Sequence, residues 1–176
     1  MGQLAKGEPA ALDALMERYE RPVLNAIYRF LGDADRAQEL AQDVFFAVYQ
    51  QRHRYQPRAK FSTWLFRIVK NRCLNERRRF WRTQPLETTD GAMEYPDSQT
   101  PGPDAAAMRK ETVRAVDAAL QALPEKQRLA FILSRTEGFS YREVAEALDV
   151  SVAACESLIH RARLALREKL SPLLKS

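Results

Sequence analysis

Apolar residues recur at spacings of three and four along most of the chain, the period of an amphipathic helix rather than the alternation of a strand. Leu12, Leu15, Met16, Tyr19, Val23, Ile27 and Phe30 predict a first helix, with Pro22 expected to break or kink it. Gly32 and Asp33 interrupt the pattern. Ala37, Leu40, Ala41, Val44, Phe45 and Val48 predict a second helix, with Glu39, Gln42, Asp43 and Phe46 off its apolar stripe. A loop around Tyr55-Gln56-Pro57-Arg58 follows. Ser62 is the expected N-cap of a third helix that runs to about Arg79.

The period vanishes over residues 83–108, where Pro85, Pro96, Pro101 and Pro103 stand among glycines and hydroxyl residues. This composition predicts an extended, flexible linker. The period resumes near Lys110. Val113, Val116, Ala119 and Leu120 give one helix that ends at Leu123-Pro124. Gln127 to Thr136 gives another, closed by Gly138, and two more lie between Tyr141 and Leu170. Strand signals are weak throughout, so the expected fold is all-α: two small helical domains, 1–82 and 109–176, joined by the linker.

Charge sharpens this division. The formal net charge of the 176 residues is +5, which alone decides little. Residues 1–82 hold 16 basic and 9 acidic side chains, residues 109–176 hold 12 and 9, and residues 83–108 hold no basic and 5 acidic ones. Two cationic blocks around an acidic connector suit two surfaces for a polyanion joined by a segment that avoids it. The two cysteines, Cys73 and Cys155, and two histidines, His53 and His160, lack metal-ligand spacing. Both cysteines fall in helical patterns and are expected to be buried thiols. No metal or cofactor is expected. Absence of a run of roughly 20 apolar residues argues against membrane insertion. With no signal segment at the N-terminus, a soluble cytoplasmic protein is expected.

The sharpest local signal is a helix-turn-helix. Ser140-Tyr141-Arg142-Glu143 fits a capping box. Val144, Ala145 and Leu148 make a short apolar face, Asp149-Val150 a tight turn, and Ser151 the cap of a further helix. On that helix Cys155, Ile159, Ala162 and Leu166 share one face, the expected buried one. Ser157, His160, Arg161 and Leu164 lie opposite, flanked by Glu156 and Arg167. Such an outward face fits the DNA major groove. Arg161 suits guanine, Ser157 and His160 suit base edges or phosphate, and Arg163 and Arg167 suit phosphates. The bland alternative is a solvated surface helix.

A second signal spans Arg52 to Arg82, with eleven basic residues, one acidic residue (Glu76), and interleaved Tyr55, Phe61, Trp64, Phe66, Phe80 and Trp81. Trp64, Arg67, Asn71, Asn75 and Arg78 form one stripe, and Leu65, Val69 and Cys73 another. Cations that track a backbone, rings that stack on bases and amides that read base edges suit single-stranded nucleic acid. Core packing of Trp64 and Phe66 is the competing explanation.

Taken together the blocks resemble extracytoplasmic-function sigma factors of bacterial RNA polymerase. Ala37-Gln38-Glu39-Leu40-Ala41-Gln42-Asp43-Val44-Phe45 is similar to the family's polymerase-binding helix. Phe61-Ser62-Thr63-Trp64-Leu65-Phe66-Arg67-Ile68-Val69-Lys70-Asn71 is similar to its strand-opening segment. Leu123-Pro124-Glu125-Lys126-Gln127-Arg128, Gly138 to Ala145 and Ile159-His160-Arg161-Ala162-Arg163 resemble the region around its helix-turn-helix. The resemblance implies a non-enzymatic initiation factor with sigma region 2 in the first block and region 4 in the second. Leu40, Gln42, Asp43 and Phe46 would meet the clamp helices of the largest polymerase subunit, and region 4 the flap of the second-largest. Phe61, Trp64, Arg67, Lys70, Asn71, Asn75 and Arg78 would open and hold the −10 element, with Asn71 at the position that captures a flipped base. Ser140, Tyr141, Ser151, Glu156, Ser157, His160, Arg161 and Arg163 would serve the −35 element. Partners implied are core RNA polymerase, promoter DNA and an anti-sigma factor. Glu156 and Leu158 stand where many members carry basic residues, and Asp149 where many carry glycine.

Three rivals remain at this point. A dimeric helix-turn-helix regulator leaves the basic aromatic helix and acidic linker unexplained. A nuclease lacks clustered carboxylates, a histidine pair or a nucleophile arrangement. An RNA-binding module would be separated by competition between RNA and −10 DNA.

Overall fold

The computed structural model describes residues 4, 10–56, 60–83, 103–136 and 139–171, with backbone only at 80–83, 103–107 and 109. Helix α1 spans Ala10–Leu31, α2 Ala34–Gln50, α3 Phe61–Thr83, α4 Pro103–Gln121, α5 Glu125–Ser134, α6 Tyr141–Leu148 and α7 Val152–Leu170. One 3-10 turn, Arg52–Arg54, follows α2, and no strand occurs among the described residues.

The α1–α2 corner is built by local chemistry. Gly32 adopts φ +77, a left-handed conformation that a glycine takes without a Cβ clash, and its N–H donates to Tyr28 O at 2.7 Å. Asp33 is extended and its carboxylate accepts from the Arg36 N–H at 3.0 Å, capping α2. Pro22 does not break α1, which continues through it. Val23, Ala26, Ile27 and Phe30 beyond the proline are all buried, so tertiary packing outweighs the one lost backbone bond.

Two other boundaries differ from expectation. Ser62 is not the cap of α3, because the helix already includes Phe61 and the Trp64 N–H reaches Lys60 O at 3.3 Å. Phe61 is held there by the rings of Tyr19, Tyr55 and Trp64. The helix also runs past Arg79 to Thr83. Helix α4 begins at Pro103, seven residues before Lys110. Pro suits the first helical position, and Asp104 and three alanines carry the helix without any apolar stripe to reveal it. The loop residues Pro57 and Arg58, the helix stop Gly138, and linker residues 84–102 lie outside the described residues, as do the side chains of Phe80 and Trp81.

Helices α1–α3 pack around Val23, Ile27, Phe30, Val44, Phe45, Val48, Leu65, Phe66 and Val69. Helices α5–α7 contribute Leu129, Ile132, Leu133, Val144, Ala145, Cys155 and Ile159 to the same continuous core. A smaller cluster of Ala119, Leu120, Leu123, Ala162 and Leu166 joins α4 to α7. The periodicity did not reveal that the two groups of helices abut. Val116, expected on the apolar face of α4, is instead exposed.

Candidate nucleic-acid interface

The helix-turn-helix forms as its sequence predicts. Ser140 Oγ accepts from the Glu143 N–H at 3.3 Å, while the Ser140 N–H donates to Glu143 Oε2 at 2.7 Å. Both halves of the capping box are therefore made. Asp149 ends α6 at φ 56, ψ 48, the left-handed conformation its position demands. Ser151 caps α7 by accepting from the Ala154 N–H at 3.1 Å. Cys155, Ile159, Ala162 and Leu166 are buried, and Glu156, Ser157, His160, Arg161, Arg163, Leu164 and Arg167 are exposed. Leu158, by contrast, is half-buried against the core, so it is absent from the exposed face. Two of the polar candidates have local partners. Ser157 Oγ donates to Ala153 O at 3.0 Å, and Arg163 Nη2 donates to Tyr141 Oη at 2.9 Å.

On α3 the two stripes separate cleanly. Leu65, Val69 and Cys73 are buried, whereas Arg67, Asn71, Asn75 and Arg78 are exposed. Phe61 and Trp64 are half-buried. Phe61 meets Tyr19 at 5.3 Å between ring centroids, and Trp64 meets Tyr55 at 5.3 Å, both edge-on. Aromatic pairs in this geometry are worth about 0.5–1.5 kcal/mol beyond the area they bury. These rings thus anchor the start of α3 while leaving part of each at the surface. Phe66 is core, packed edge-on against Phe139 at 5.0 Å. Lys70, which the resemblance groups with the −10 residues, is almost fully buried.

On α2, Gln42, Asp43 and Phe46 are exposed, and Phe46 at 59% is a large apolar side chain facing solvent. Leu40, which the resemblance groups with them, belongs to the core, as its place on the apolar stripe predicts.

Helix α3 packs against α6 and the turn that follows it. Arg67 Nη2 donates to Glu146 O at 2.8 Å and lies 3.4 Å from Asp149 Oδ1. Lys70 Nζ pairs with Asp149 Oδ2. Lys60 Nζ pairs with Glu143 Oε1 at 2.8 Å. Lys60 and the Ser140 cap together hold the Glu143 carboxyl down at about 2, against an ordinary 4.5.

A second set of contacts, which sequence reasoning missed, joins α1 to α4 and α5. The Arg128 guanidinium is fully buried. It donates to Phe30 O at 2.7 Å, Gln121 Oε1 at 2.6 Å, Leu123 O at 3.0 Å and Gln121 O. Burial pulls its pKa down to about 10, leaving it charged at neutral pH. Gln121 Nε2 adds bonds to Arg29 O and Phe30 O, so the last carbonyls of α1 are satisfied by side chains far along the chain. Tyr28 Oη donates to Asp117 Oδ2 at 2.9 Å, and Arg77 pairs with Glu125 at 3.0 Å. The one available signal was an arginine four residues before Ile132, on the apolar stripe of α5.

Between these contacts lies a cleft of about 970 Å³ whose lining, among the described residues, includes Arg18, Arg21, Arg29, Lys60 and Arg135 and no carboxylate. No group of three or more histidine, cysteine or acidic residues with metal-site geometry occurs among the described residues. No described helix is long and apolar enough to cross a membrane.

Comparison with known proteins adds identity to this geometry. Residues 15–83 match the family model for sigma-70 region 2, and residues 113–166 that for sigma-70, region 4. RNA polymerase sigma-H factor of Pseudomonas aeruginosa is 32% identical over an alignment covering 98% of this chain and 93% of its own. The ECF RNA polymerase sigma factor SigW of Bacillus subtilis is 28% identical, covering 97% and 95%. The solved structure of CnrH in complex with the cytosolic domain of CnrY is similar at a TM-score of 0.73, with 26% identity and coverage of 97% and 94%. The sigma factor RpoE in complex with the anti-sigma factor NepR from Bartonella quintana matches at 0.74, with 20% identity over 90% and 96%, a likeness of fold. Two helical modules with a made helix-turn-helix, both family regions in order, and relatives matched along nearly their whole length place the chain among the extracytoplasmic-function sigma factors, the non-enzymatic factors that direct RNA polymerase to specific promoters.

Proposed function

We propose that residues 1–82 form the module that binds core polymerase and melts the −10 element, and residues 109–176 the module that reads the −35 duplex. Residues 83–108 would be the connector. The exposed stripe Arg67, Asn71, Asn75 and Arg78, set opposite the buried Leu65, Val69 and Cys73, carries this reading. Its cations track a strand, and its amides meet base edges once a base leaves the stack. Asn71 takes the extruded base, Phe61 and Trp64 support it with ring edges, and Lys70 becomes available to phosphate when the modules part. The face of Glu156, Ser157, His160 and Arg161 enters the major groove. Arg163, with Tyr141 as its partner, meets the backbone, and Ser140 and Ser151 sit at the two helix N-termini that approach phosphate. Gln42, Asp43 and Phe46 dock on the clamp helices of the largest subunit, Leu40 supports them from beneath, and the second module reaches the flap of the second-largest subunit.

An anti-sigma factor holding the free chain in the cytoplasm completes the reading, by analogy with RpoE held by NepR. Run-off transcription with sigma-free core polymerase on a promoter library tests it. Site-specific initiation is expected, and Asn71→Ala is expected to lower promoter melting while core binding holds. No specific initiation on any template would refute the assignment. Unchanged melting by the variant would refute the pocket.

A further inference from the structure

The contact between α3 and the helix-turn-helix is built from charge. Asp149 projects from the turn between α6 and α7 and places one carboxylate oxygen near Arg67 and the other on Lys70. A carboxylate bridging two cations has the charge and reach of a nucleic-acid phosphate. Lys60–Glu143 repeats the arrangement at the start of α3. The acidic partners come from the DNA-reading half of the chain, the half that must itself be free to enter a groove.

We propose that Arg67 and Lys70 form a backbone-phosphate site of the melted strand, and that Asp149 occupies it as an internal competitor until DNA displaces its carboxylate or polymerase parts the modules. The inference rests on the reading of α3 as the strand-capturing surface. It also gives Asp149 a role that backbone geometry does not. At φ 56 a glycine would relieve strain, so turn formation alone favours glycine there. The carboxylate is retained at a conformational cost, and its two ion pairs are what it contributes. Lys70 is nearly buried, so losing this partner would leave a cation stranded against the core until the modules separate.

Such masking lowers the affinity of the free chain for DNA by the fraction of molecules that are open. Parting the modules also uncovers Phe66 and Phe139, which pack across the same seam. The masked state therefore combines screened ion pairs with an apolar contact that salt does not weaken.

The test uses the full-length chain, D149G, D149N and the double variant K60Q/D149N. D149G fits the turn better than the parent and D149N tolerates it, so both are expected to fold, as circular dichroism would report. Fluorescence anisotropy with a labelled −10 non-template single strand gives the affinity of each free chain. Small-angle scattering gives the radius of gyration. D149N is expected to bind the strand more tightly than wild type, and K60Q/D149N by about tenfold if closed molecules outnumber open ones by about nine to one. Arg128 still ties α1 to α5 in every variant, so the radius of gyration is expected to stay at the wild-type value while strand affinity rises. In holoenzyme, where polymerase already separates the modules, all four chains should initiate equally.

Equal affinity of wild type and all variants for the strand, with holoenzyme active, would overturn the masking proposal while leaving the sigma reading intact. Expansion without any gain in strand affinity would likewise overturn it, because Arg67 and Lys70 would then not be the site. Loss of specific initiation by wild-type holoenzyme would instead overturn the underlying assignment of α3.

Discussion

Replacing Arg128 with methionine is the most demanding test of how the modules are held. The substitution keeps an unbranched apolar stem and removes the guanidinium. It strips donors from Phe30 O, Gln121 O, Leu123 O and Gln121 Oε1. A buried acceptor left without a partner costs about 1–3 kcal/mol. Gln121 Nε2 still reaches Phe30 O and Arg77 Nη1 still reaches Gln121 Oε1 at 3.4 Å, so two backbone carbonyls, Gln121 O and Leu123 O, are left bare. Relief of burying a charge offsets part of the loss, since Arg128 Nε already lacks a hydrogen-bond partner among the described residues. The net expected loss is about 3 kcal/mol. Urea unfolding followed by two probes reads it. Circular dichroism senses all helices, whereas Trp64 and Trp81, the two tryptophans, both lie in α3 and report the first module. Because Arg128 caps α1 from α5, both midpoints should fall. R128K should recover only part of the loss, since an ammonium is a point charge without the fork that spans four acceptors. A fall in the dichroism midpoint with the fluorescence midpoint fixed would refute cross-module capping. A net change below about 1 kcal/mol would refute the burial argument itself.

Acid is expected to act through Glu143. Its folded pKa, about 2, lies below the ordinary 4.5, so its contribution is complete above pH 4.5 and is lost as pH falls from there towards 2. Urea midpoints measured across that window should slope for wild type and flatten at this step for E143Q; parallel slopes would sink the assignment. Cys73 and Cys155 are both fully buried, and burial raises both thiol pKa values, with Glu156 adding to the effect at Cys155. Neither should react with a disulfide reagent in the folded chain at neutral pH, and both should react promptly in denaturant. Rapid labelling of either in the native state would contradict the burial described.

The features that were legible in the sequence are those fixed by neighbours along the chain. The Ser140 capping box, the left-handed Asp149 turn, the Ser151 cap and the buried face Cys155, Ile159, Ala162 and Leu166 all depend on residues within a few positions of each other. Helical period likewise separated Leu65, Val69 and Cys73 from Arg67, Asn71 and Asn75. Period reports that a face is buried, though, and not what buries it. Phe66 read equally well as a base-stacking ring or as core, and only Phe139, far along the chain, decides for core. The burial of Lys70 has no signal in its own helix, because its partner Asp149 lies 79 residues away. The start of α4 at Pro103 escaped notice for the opposite reason: propensity, not an apolar stripe, makes Asp104–Ala107 helical.

The same distinction orders the chemistry of the seam. Its contacts divide into two kinds with opposite responses to conditions. Arg128, Gln121 and the α1 carbonyls are sheltered hydrogen bonds, little affected by salt and costly to leave unmade. Arg67, Asp149 and Lys60 are substantially exposed, with Arg67 at 46%, Asp149 at 57% and Lys60 at 70% of side-chain area, so added salt weakens their pairs. A polyanion competes with the second kind and has no purchase on the first. DNA can therefore strip the acidic residues from α3 locally, but releasing Arg128 from Phe30 O requires the helices themselves to separate. Under the proposed docking of α2 on polymerase, that larger step would fall to a partner that covers Phe46, exposed on α2, and offsets the lost hydrogen bonds with buried apolar area. On that reading the hydrogen bonds of Arg128 to Phe30 O would make promoter binding before polymerase binding the disfavoured order.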